Sequence, residues 1–186
     1  MKRLFDFCLA LFALFVLLVP ILLLALLVKL TSSGPVVYWS DRVGRYNKIF
    51  RMPKFRTMQK DTPELSTALL TEPQLFLTPI GSFLRKSSLD ELPQLWSILM
   101  GDMSFVGPRP VIVAETNLIY WRRQLNVDTL LPGLTGWAQI NGRDAVSLQD
   151  KVKLDVEYLK NQSFIFDIKI VFMTISKVLC RDGVRH

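Results

Sequence analysis

The middle of the chain carries the segment Ser87-Ser88-Leu89-Asp90-Glu91-Leu92-Pro93-Gln94-Leu95. Two adjacent carboxylates, Asp90 and Glu91, stand between a serine pair and an apolar run with helical spacing. Ser88 and Glu91 match a capping box, so we expect a helix to begin at Ser88. Such a pair is favourable at the positive end of any helix. Next to Arg85, the same pair could also bind a metal ion or attack phosphorus. Taken alone, the segment favours capping.

Composition limits the chemistry. The chain has 186 residues, enough for one domain with a real core, and a formal net charge of +7. Its one histidine is His186, which excludes histidine triads, histidine–metal clusters and an imidazole base. Cys8 and Cys180 are far apart, so neither a disulfide framework nor a CxxC metal site is indicated. Any reaction must use carboxylates, lysines, arginines and hydroxyls.

An apolar segment near the amino terminus predicts membrane attachment. Residues 7–28 carry no charge, and about 20 apolar residues span a bilayer as a helix. Pro20 lies inside this segment and predicts a kink. Positive charge on both sides, at Lys2 and Lys29, gives no orientation and suits a bent, re-entrant helix with both ends in the cytoplasm. On the residues alone, a spanning helix is slightly favoured, since membrane helices tolerate proline.

The next segment is strongly basic. Residues 29–60 hold eight lysines and arginines against the single acid Asp41. Residues 36–39 and 48–52 predict a short β-hairpin. Within Lys54-Phe55-Arg56-Thr57-Met58, the two cations alternate along an extended stretch and are expected to point the same way, as a phosphate site requires. A solvated basic face attracted to anionic headgroups is the simpler interpretation, and both can hold.

A second candidate phosphate ligand lies in Phe105-Val106-Gly107-Pro108-Arg109-Pro110. The prolines fix the backbone on both sides of Arg109. A stiffly held guanidinium suits bidentate phosphate recognition, and a rigid surface connector has equal weight. Three glycines in residues 132–143 predict a tight turn region that forms a pocket wall or an ordinary loop.

Helical periodicity continues to the end of the chain. Residues 115–125 predict a short amphipathic helix, and apolar spacing over residues 148–159 predicts another that carries Asp155. A last helix is expected to begin near Asp167, with one apolar face that packs against a core and consists of Ile168, Val171, Phe172, Ile175 and Leu179. Alternatively, its bulky apolar face lies on the membrane.

A basic, membrane-attached domain with a carboxylate pair and no histidine among these motifs points to phosphate substrates at a bilayer surface. A carboxylate can attack phosphorus, and Mg²⁺ prefers one or two carboxylates together with substrate phosphates. Adjacent helical residues point in different directions, which favours different roles for Asp90 and Glu91.

The chain resembles the small monotopic phosphoglycosyl transferases, the bacterial sugar transferase family. The resemblance runs nearly end to end and covers a series of motifs in the family's order. These are Lys2-Arg3-Leu4-Phe5-Asp6, Gly34-Pro35-Val36, the Lys54 motif, the segment from Ser88 to Leu95, Gly101-Asp102-Met103-Ser104 with the Arg109 motif, and residues 132–143. Departures are Val19 where the family often has serine before the membrane proline, and Ser40 where it often has glutamine.

The resemblance implies a fold that is mainly α with a short β-hairpin. Residues 1–30 would form a re-entrant membrane helix bent at Pro20, packed on a small cytoplasmic α/β domain with amphipathic interfacial helices, residues 31–186. The family implies a bacterial inner membrane location with the catalytic domain on the cytoplasmic face. The sequence does not decide whether the protein forms a homo-oligomer.

The resemblance also implies the reaction and its residues. Asp90 would attack the β-phosphate of a UDP-sugar and release UMP, and undecaprenyl phosphate would then take the phosphosugar. Glu91 would hold Mg²⁺. Phosphate or nucleotide binding would fall to Lys54, Arg56, Arg85 and Arg109, with Asp155 as a weaker polar-site candidate.

Two other functions fit the residues. One is a non-catalytic membrane adaptor whose basic hairpin binds anionic lipid; a nucleic-acid ligand is disfavoured because Tyr38, Trp39 and Tyr46 lie beside an apolar anchor. The other is a glycosyltransferase of another type, which would release a nucleoside diphosphate. The nucleotide product distinguishes it from a phosphoglycosyl transferase.

Overall fold

The computed structural model describes residues 2–60, 62, 73–142 and 147–180. They are mostly helical, as expected, and contain two small sheets, of which the sequence predicted only the β-hairpin. Arg143, Arg181 and His186 lie outside the described residues, as does the side chain of Leu179. The helices are α1 (Lys2–Thr31), α2 (Gly81–Ser87), α3 (Leu95–Met100), α4 (Thr116–Gln124), α5 (Trp137–Ile140), α6 (Leu148–Asn161) and α7 (Phe164–Cys180). The strands are β1 (Val37–Val43), β2 (Ile49–Phe55), β3 (Ser104–Val106), β4 (Val111–Ile112) and β5 (Gly133–Thr135). Short 3₁₀ helices cover Arg45–Asn47, Pro73–Phe76, Leu89–Gln94 and Val127–Thr129.

The predicted hairpin is present and longer than expected. β1 and β2 pair antiparallel from Val37 opposite Phe55 to Val43 opposite Ile49. β4 joins the other edge of β1, which brings the chain just after Arg109 to this sheet. The sheet therefore connects the two basic motifs of the sequence.

The capping box predicted at Ser88 is wrong. Ser88 has φ 58° and ends α2 in a left-handed conformation, and its side chain makes no capping hydrogen bond. Leu89–Gln94 forms a 3₁₀ helix, and the α-helix begins only at Leu95. Pro93 gives the reason: in an α-helix that starts at Ser88 its ring would clash with the carbonyl of Leu89, and it has no N–H to donate. The expected break at Gly101 is confirmed, with φ 94°.

Two motifs that are distant in sequence lie side by side. β3 and β5 pair in parallel, Gly107 N–H donates to the Thr135 carbonyl at 2.9 Å, and Gly133 N–H donates to the Pro108 carbonyl at 2.9 Å. A Cβ at Gly136 would lie 2.0 Å from the Gly107 carbonyl oxygen, so only glycine permits this approach. Residues 133–140 are thus a strand and a short helix that support the Arg109 segment, rather than the tight turn region predicted.

Helix α1 packs against the rest of the chain along its length. Ala10 contributes to one core cluster with Leu95 and Ile98 of α3. Leu24 and Val28 contribute to another with Phe55 and Leu84. Its outer face leaves a broad apolar surface exposed, at Leu11, Phe12, Phe15, Leu18, Val19, Leu22, Leu23 and Leu26. Among the described residues, α1 is the one helix long and apolar enough to cross a membrane.

The amino-terminal end of α1 is fixed by polar contacts. The Arg3 guanidinium donates to the carbonyls of Ile98 and Leu99 at the end of α3. Lys2 forms an ion pair with Asp167 of α7. The chain remains helical on both sides of Pro20, which is exposed.

The three later helices form where expected, and one face was predicted incorrectly. α4 and α6 match residues 115–125 and 148–159, while α7 begins at Phe164, three residues before Asp167. Among the described side chains of α7, the fully buried apolar residue is Ile170, while Phe172 is 68% exposed and Ile175 is also exposed. Core packing of these two residues is therefore wrong, whereas the alternative of an apolar face on the membrane stays a prediction. The helix is turned this way because Asp167 is buried, accepting from Tyr158 Oη at 2.6 Å and pairing with Lys2.

The packing of α1 predicts the effect of enlarging its buried face. We expect Ala10→Leu to lower the free energy of unfolding by about 1–3 kcal/mol, because Ala10 is fully buried and added methyl groups would overpack the cluster with Ile98. Thermal unfolding in detergent micelles measures this. Cys8→Leu, on the exposed face of the same helix, is the matched control and should have little effect. Equal melting temperatures for the two variants would contradict this packing.

Candidate active site

Glu91 lies at the centre of a cluster of charges from three separate elements. Its Oε1 atom accepts from Lys54 Nζ of β2 at 2.8 Å and from Arg109 Nη2 at 3.3 Å. Burial opposes ionisation, since the Glu91 side chain is only 17% exposed, but the charges of Lys54 and Arg109 outweigh it and lower the pKa of Glu91 to about 2. Glu91 is therefore a fixed carboxylate at neutral pH.

Asp90 is more deeply buried and differs in its electrostatics. It is 8% exposed, and burial raises the pKa of its carboxyl above the ordinary value. The Glu91 charge acts in the same direction, while Lys54, Arg85 and Arg109 oppose the shift. Carboxylates can act as nucleophiles on phosphorus, and the neighbouring cations could attract a phosphate group to this position.

Two further arginines lie beside this pair. Arg85, at the end of α2, donates from Nε to Thr57 Oγ1 at 3.0 Å, and burial lowers the pKa of its guanidinium while Asp90 opposes that shift. Arg42 of β1 donates from Nε to Ser40 Oγ at 3.0 Å. Burial and then the neighbouring charge of Arg109 lower the pKa of Arg42. The serine that departs from the family pattern is thus a partner of Arg42.

Arg56 and Asp155 make their hydrogen bonds elsewhere. Half-buried Lys54 and Arg56 alternate with buried Phe55 and Thr57, as the strand period requires, but Arg56 Nε donates to the Pro35 carbonyl at 2.8 Å. Asp155 of α6 is paired with Arg122 of α4 at 2.7 Å. The structure therefore brings together Asp90, Glu91, Lys54, Arg85 and Arg109, and gives Arg56 and Asp155 other partners.

Arg42 and Arg122 are two charged residues of this region for which the sequence predicted no role. The position of Arg42 is the product of long-range pairing of β1 with β4, and that of Arg122 of the packing of α4 on α6. Arg42 lies two residues after Ser40, so in an extended strand both side chains point to the same face; that spacing could have indicated Arg42. Arg122 gives no local signal, because its partners are a carbonyl and a distant carboxylate.

The cluster has the composition of a phosphate site. Four cations, Lys54, Arg42, Arg85 and Arg109, surround two carboxylates, so the site carries an excess of positive charge. No group of three or more metal-ligating side chains occurs among the described residues. Adjacent carboxylates still fit Mg²⁺, which commonly binds one or two of them and completes its shell with water and substrate phosphate oxygens.

Comparison with known proteins agrees with this geometry. Residues 1–181 match the family model described as "Bacterial sugar transferase". The chain is 43% identical to the "Uncharacterized sugar transferase EpsL" of Bacillus subtilis (strain 168), over all of this chain and 91% of that protein. It is 39% identical to the "Exopolysaccharide production protein ExoY" of Sinorhizobium fredii, over 98% of this chain and 87% of that protein.

A further relative has a name that states a reaction. The "UDP-glucose:undecaprenyl-phosphate glucose-1-phosphate transferase" of Escherichia coli (strain K12) is 41% identical over 95% of this chain, which spans 40% of that longer protein. The match to the family model covers nearly the whole chain, and the motifs that carry the resemblance fall within it. The chain therefore belongs to the bacterial sugar transferase family, the phosphoglycosyl transferases that its motifs resemble.

Proposed function

We propose that this protein transfers a sugar 1-phosphate from a UDP-sugar to undecaprenyl phosphate and releases UMP, in the first membrane step of bacterial glycoconjugate assembly. The observation that carries the proposal is the pair of buried Asp90 and half-buried Glu91 among Lys54, Arg85 and Arg109. A relative of this chain is named for transfer of glucose 1-phosphate from UDP-glucose to undecaprenyl phosphate.

The chemistry proceeds in two displacements. An Asp90 carboxylate oxygen forms a bond to the β-phosphorus, and the bond from that phosphorus to the bridging oxygen breaks, so UMP leaves with the electron pair. A phosphate oxygen of undecaprenyl phosphate then attacks the same phosphorus. The bond to Asp90 breaks and the carboxylate is regenerated. Lys54, Arg85 and Arg109 offset charge on the phosphoryl oxygens in both steps.

Glu91 serves as the Mg²⁺ ligand in this proposal. Its low pKa keeps it ionised, and its Oε1 atom is held by Lys54 and Arg109, both of which can turn to phosphate oxygens when substrate enters. Bound Mg²⁺ supplies Lewis-acid stabilisation of the pyrophosphate charge.

The proposed membrane arrangement has α1 as a re-entrant element with both ends on the cytoplasmic face of the inner membrane. Residues near each end of α1 contact the same folded domain: Lys2 pairs with Asp167, and Val28 packs on Phe55 and Leu84. A polar domain cannot contact both ends of a helix that crosses the hydrocarbon from one side to the other. This supports the re-entrant arrangement over a spanning helix.

Substitution of the nucleophile tests the reaction. With a UDP-sugar, Mg²⁺ and undecaprenyl phosphate, we expect UMP release, and we expect Asp90→Asn to reduce it at least about 10³-fold because the attacking oxygen is lost. Asp41→Asn, an exposed aspartate of β1, is the matched control. Without acceptor, mass spectrometry should find a phosphosugar on Asp90. Full activity of Asp90→Asn, an adduct elsewhere, or release of UDP would refute the mechanism.

Removal of the metal tests the role of Glu91. Chelation of Mg²⁺ should reduce UMP release at least about a hundredfold, since Lewis-acid stabilisation is worth several kcal/mol. Glu91→Gln should raise the Mg²⁺ concentration needed for half-maximal rate, whereas Glu157→Gln, an exposed glutamate of α6, should not. An unchanged Mg²⁺ requirement in Glu91→Gln would remove Glu91 as the ligand.

Labelling tests the membrane arrangement. The test uses bacterial cells that express the protein with its native cysteines replaced, an epitope at its amino terminus and a cysteine in place of Ser33, just after α1. We expect the antibody and the thiol reagent to reach these two sites only after the inner membrane is permeabilised. Ser33 follows the helix directly, so its accessibility reports on the carboxyl-terminal end of α1. Reaction of one site from the periplasm and the other from the cytoplasm would establish a spanning helix instead.

A further inference from the structure

Arg122 connects three elements around the Arg109 segment. Its Nε and Nη2 atoms lie 2.9 and 2.7 Å from Asp155 Oδ2, and its Nη1 atom donates to the Arg109 carbonyl at 2.8 Å. Both partners in the ion pair are shielded from solvent, with side chains 11% exposed for Arg122 and 2% for Asp155. Such a shielded, charge-assisted arrangement holds its geometry better than an exposed pair.

The Arg109 segment depends on few backbone contacts of its own. Pro108 and Pro110 have no N–H groups, so the carbonyls carry the anchoring. Gly133 N–H donates to the Pro108 carbonyl at 2.9 Å, and Arg122 Nη1 donates to the Arg109 carbonyl at 2.8 Å. Beyond this fixed backbone, the Arg109 side chain is 51% exposed and reaches Glu91 Oε1 at 3.3 Å. The direction in which that guanidinium leaves the loop is therefore set partly by Arg122.

Arg122 makes one hydrogen bond beyond those that an ion pair between α4 and α6 requires. An ion pair between α4 and α6 requires only Asp155 and one positive charge, which a lysine would supply. The fork of an arginine can bind a carboxylate on one side and a carbonyl on another, whereas a lysine is a compact point charge. Asp155 thus orients Arg122 so that its remaining N–H group meets the loop that carries Arg109.

We propose that Arg122, oriented by Asp155, is a positioning residue that fixes the Arg109 guanidinium for binding the diphosphate of the substrate. This rests on the function proposed above, in which Arg109 binds phosphate. Arg122 acts through Arg109 and does not itself contact the reacting atoms. Its effect should therefore vanish once Arg109 is gone.

A double-substitution cycle tests this with the full chain in lipid nanodiscs. The variants are Arg122→Lys, which keeps the charge beside Asp155, Arg109→Ala, and the two combined. The first readout is the affinity for UDP in the presence of Mg²⁺, by calorimetry. We expect each single change to weaken UDP binding by about three- to tenfold, and the double variant to bind as Arg109→Ala does, because coupled residues are not additive. Arg123→Lys, the exposed neighbour on α4, is the matched control.

The outcomes separate positioning from packing. If Arg122 only stabilises the helices, Arg122→Lys will lower the melting temperature without changing the affinity for UDP. If the two residues act independently, the fold-losses of UDP affinity in Arg122→Lys and Arg109→Ala will multiply in the double variant. Either result overturns the proposal. Unchanged UDP affinity in Arg109→Ala overturns it as well. Absence of UMP release in the wild-type protein would instead contradict the proposed function. The UDP affinities of the four proteins would still test whether Arg122 positions Arg109. Should Arg122→Lys not fold, Asp155→Asn, which retains the arginine but weakens its orientation, replaces it in the same cycle.

Discussion

One carboxylate oxygen, Glu91 Oε1, joins three separate parts of this chain. Lys54 reaches it from the hairpin and Arg109 from the connection between β3 and β4, while Glu91 itself belongs to the 3₁₀ helix that follows α2. These cations would repel each other without the carboxylate between them. The two ion pairs therefore keep positive groups from two elements close to the 3₁₀ helix that carries Glu91. In the proposed function, a diphosphate would replace the carboxylate as their partner.

The neighbouring carboxylates illustrate how environment divides one residue type into two roles. Burial opposes ionisation of both, but the direct ion pairs of Glu91 with Lys54 and Arg109 lower its pKa, whereas for Asp90 burial outweighs the charges of Lys54, Arg85 and Arg109 and raises the pKa. A 3₁₀ helix, like an α-helix, points successive side chains in different directions. This difference in electrostatics is what the proposed function uses when it gives Glu91 the role of cation ligand and Asp90 that of nucleophile.

The sequence allowed prediction of what depends on residue type and period, and failed where long-range packing decides. The hairpin, the long apolar helix α1 and the positions of α4 and α6 follow from local patterns. The capping box at Ser88 failed because Pro93, five residues on, excludes an α-helix there, and that signal was visible in the sequence. The pairing of Gly107 with Thr135 and the contact of Arg122 with the Arg109 carbonyl have no local signature in the sequence. Both use a backbone carbonyl as acceptor, and every residue type has one.

The 3₁₀ helix that carries the carboxylates also places them beside the apolar helix α1, which bears on the lipid substrate of the proposed function. Leu89 and Leu92, which flank Asp90 and Glu91, pack in the same cluster as Leu24 and Val28 of α1. One turn of chain therefore presents acids on one side and leucines to the apolar helix on the other. Because α1 exposes its remaining apolar face, the carboxylate pair lies next to the element that would enter the bilayer. In the proposed function, a lipid phosphate at the membrane surface would then need to travel little to reach Asp90.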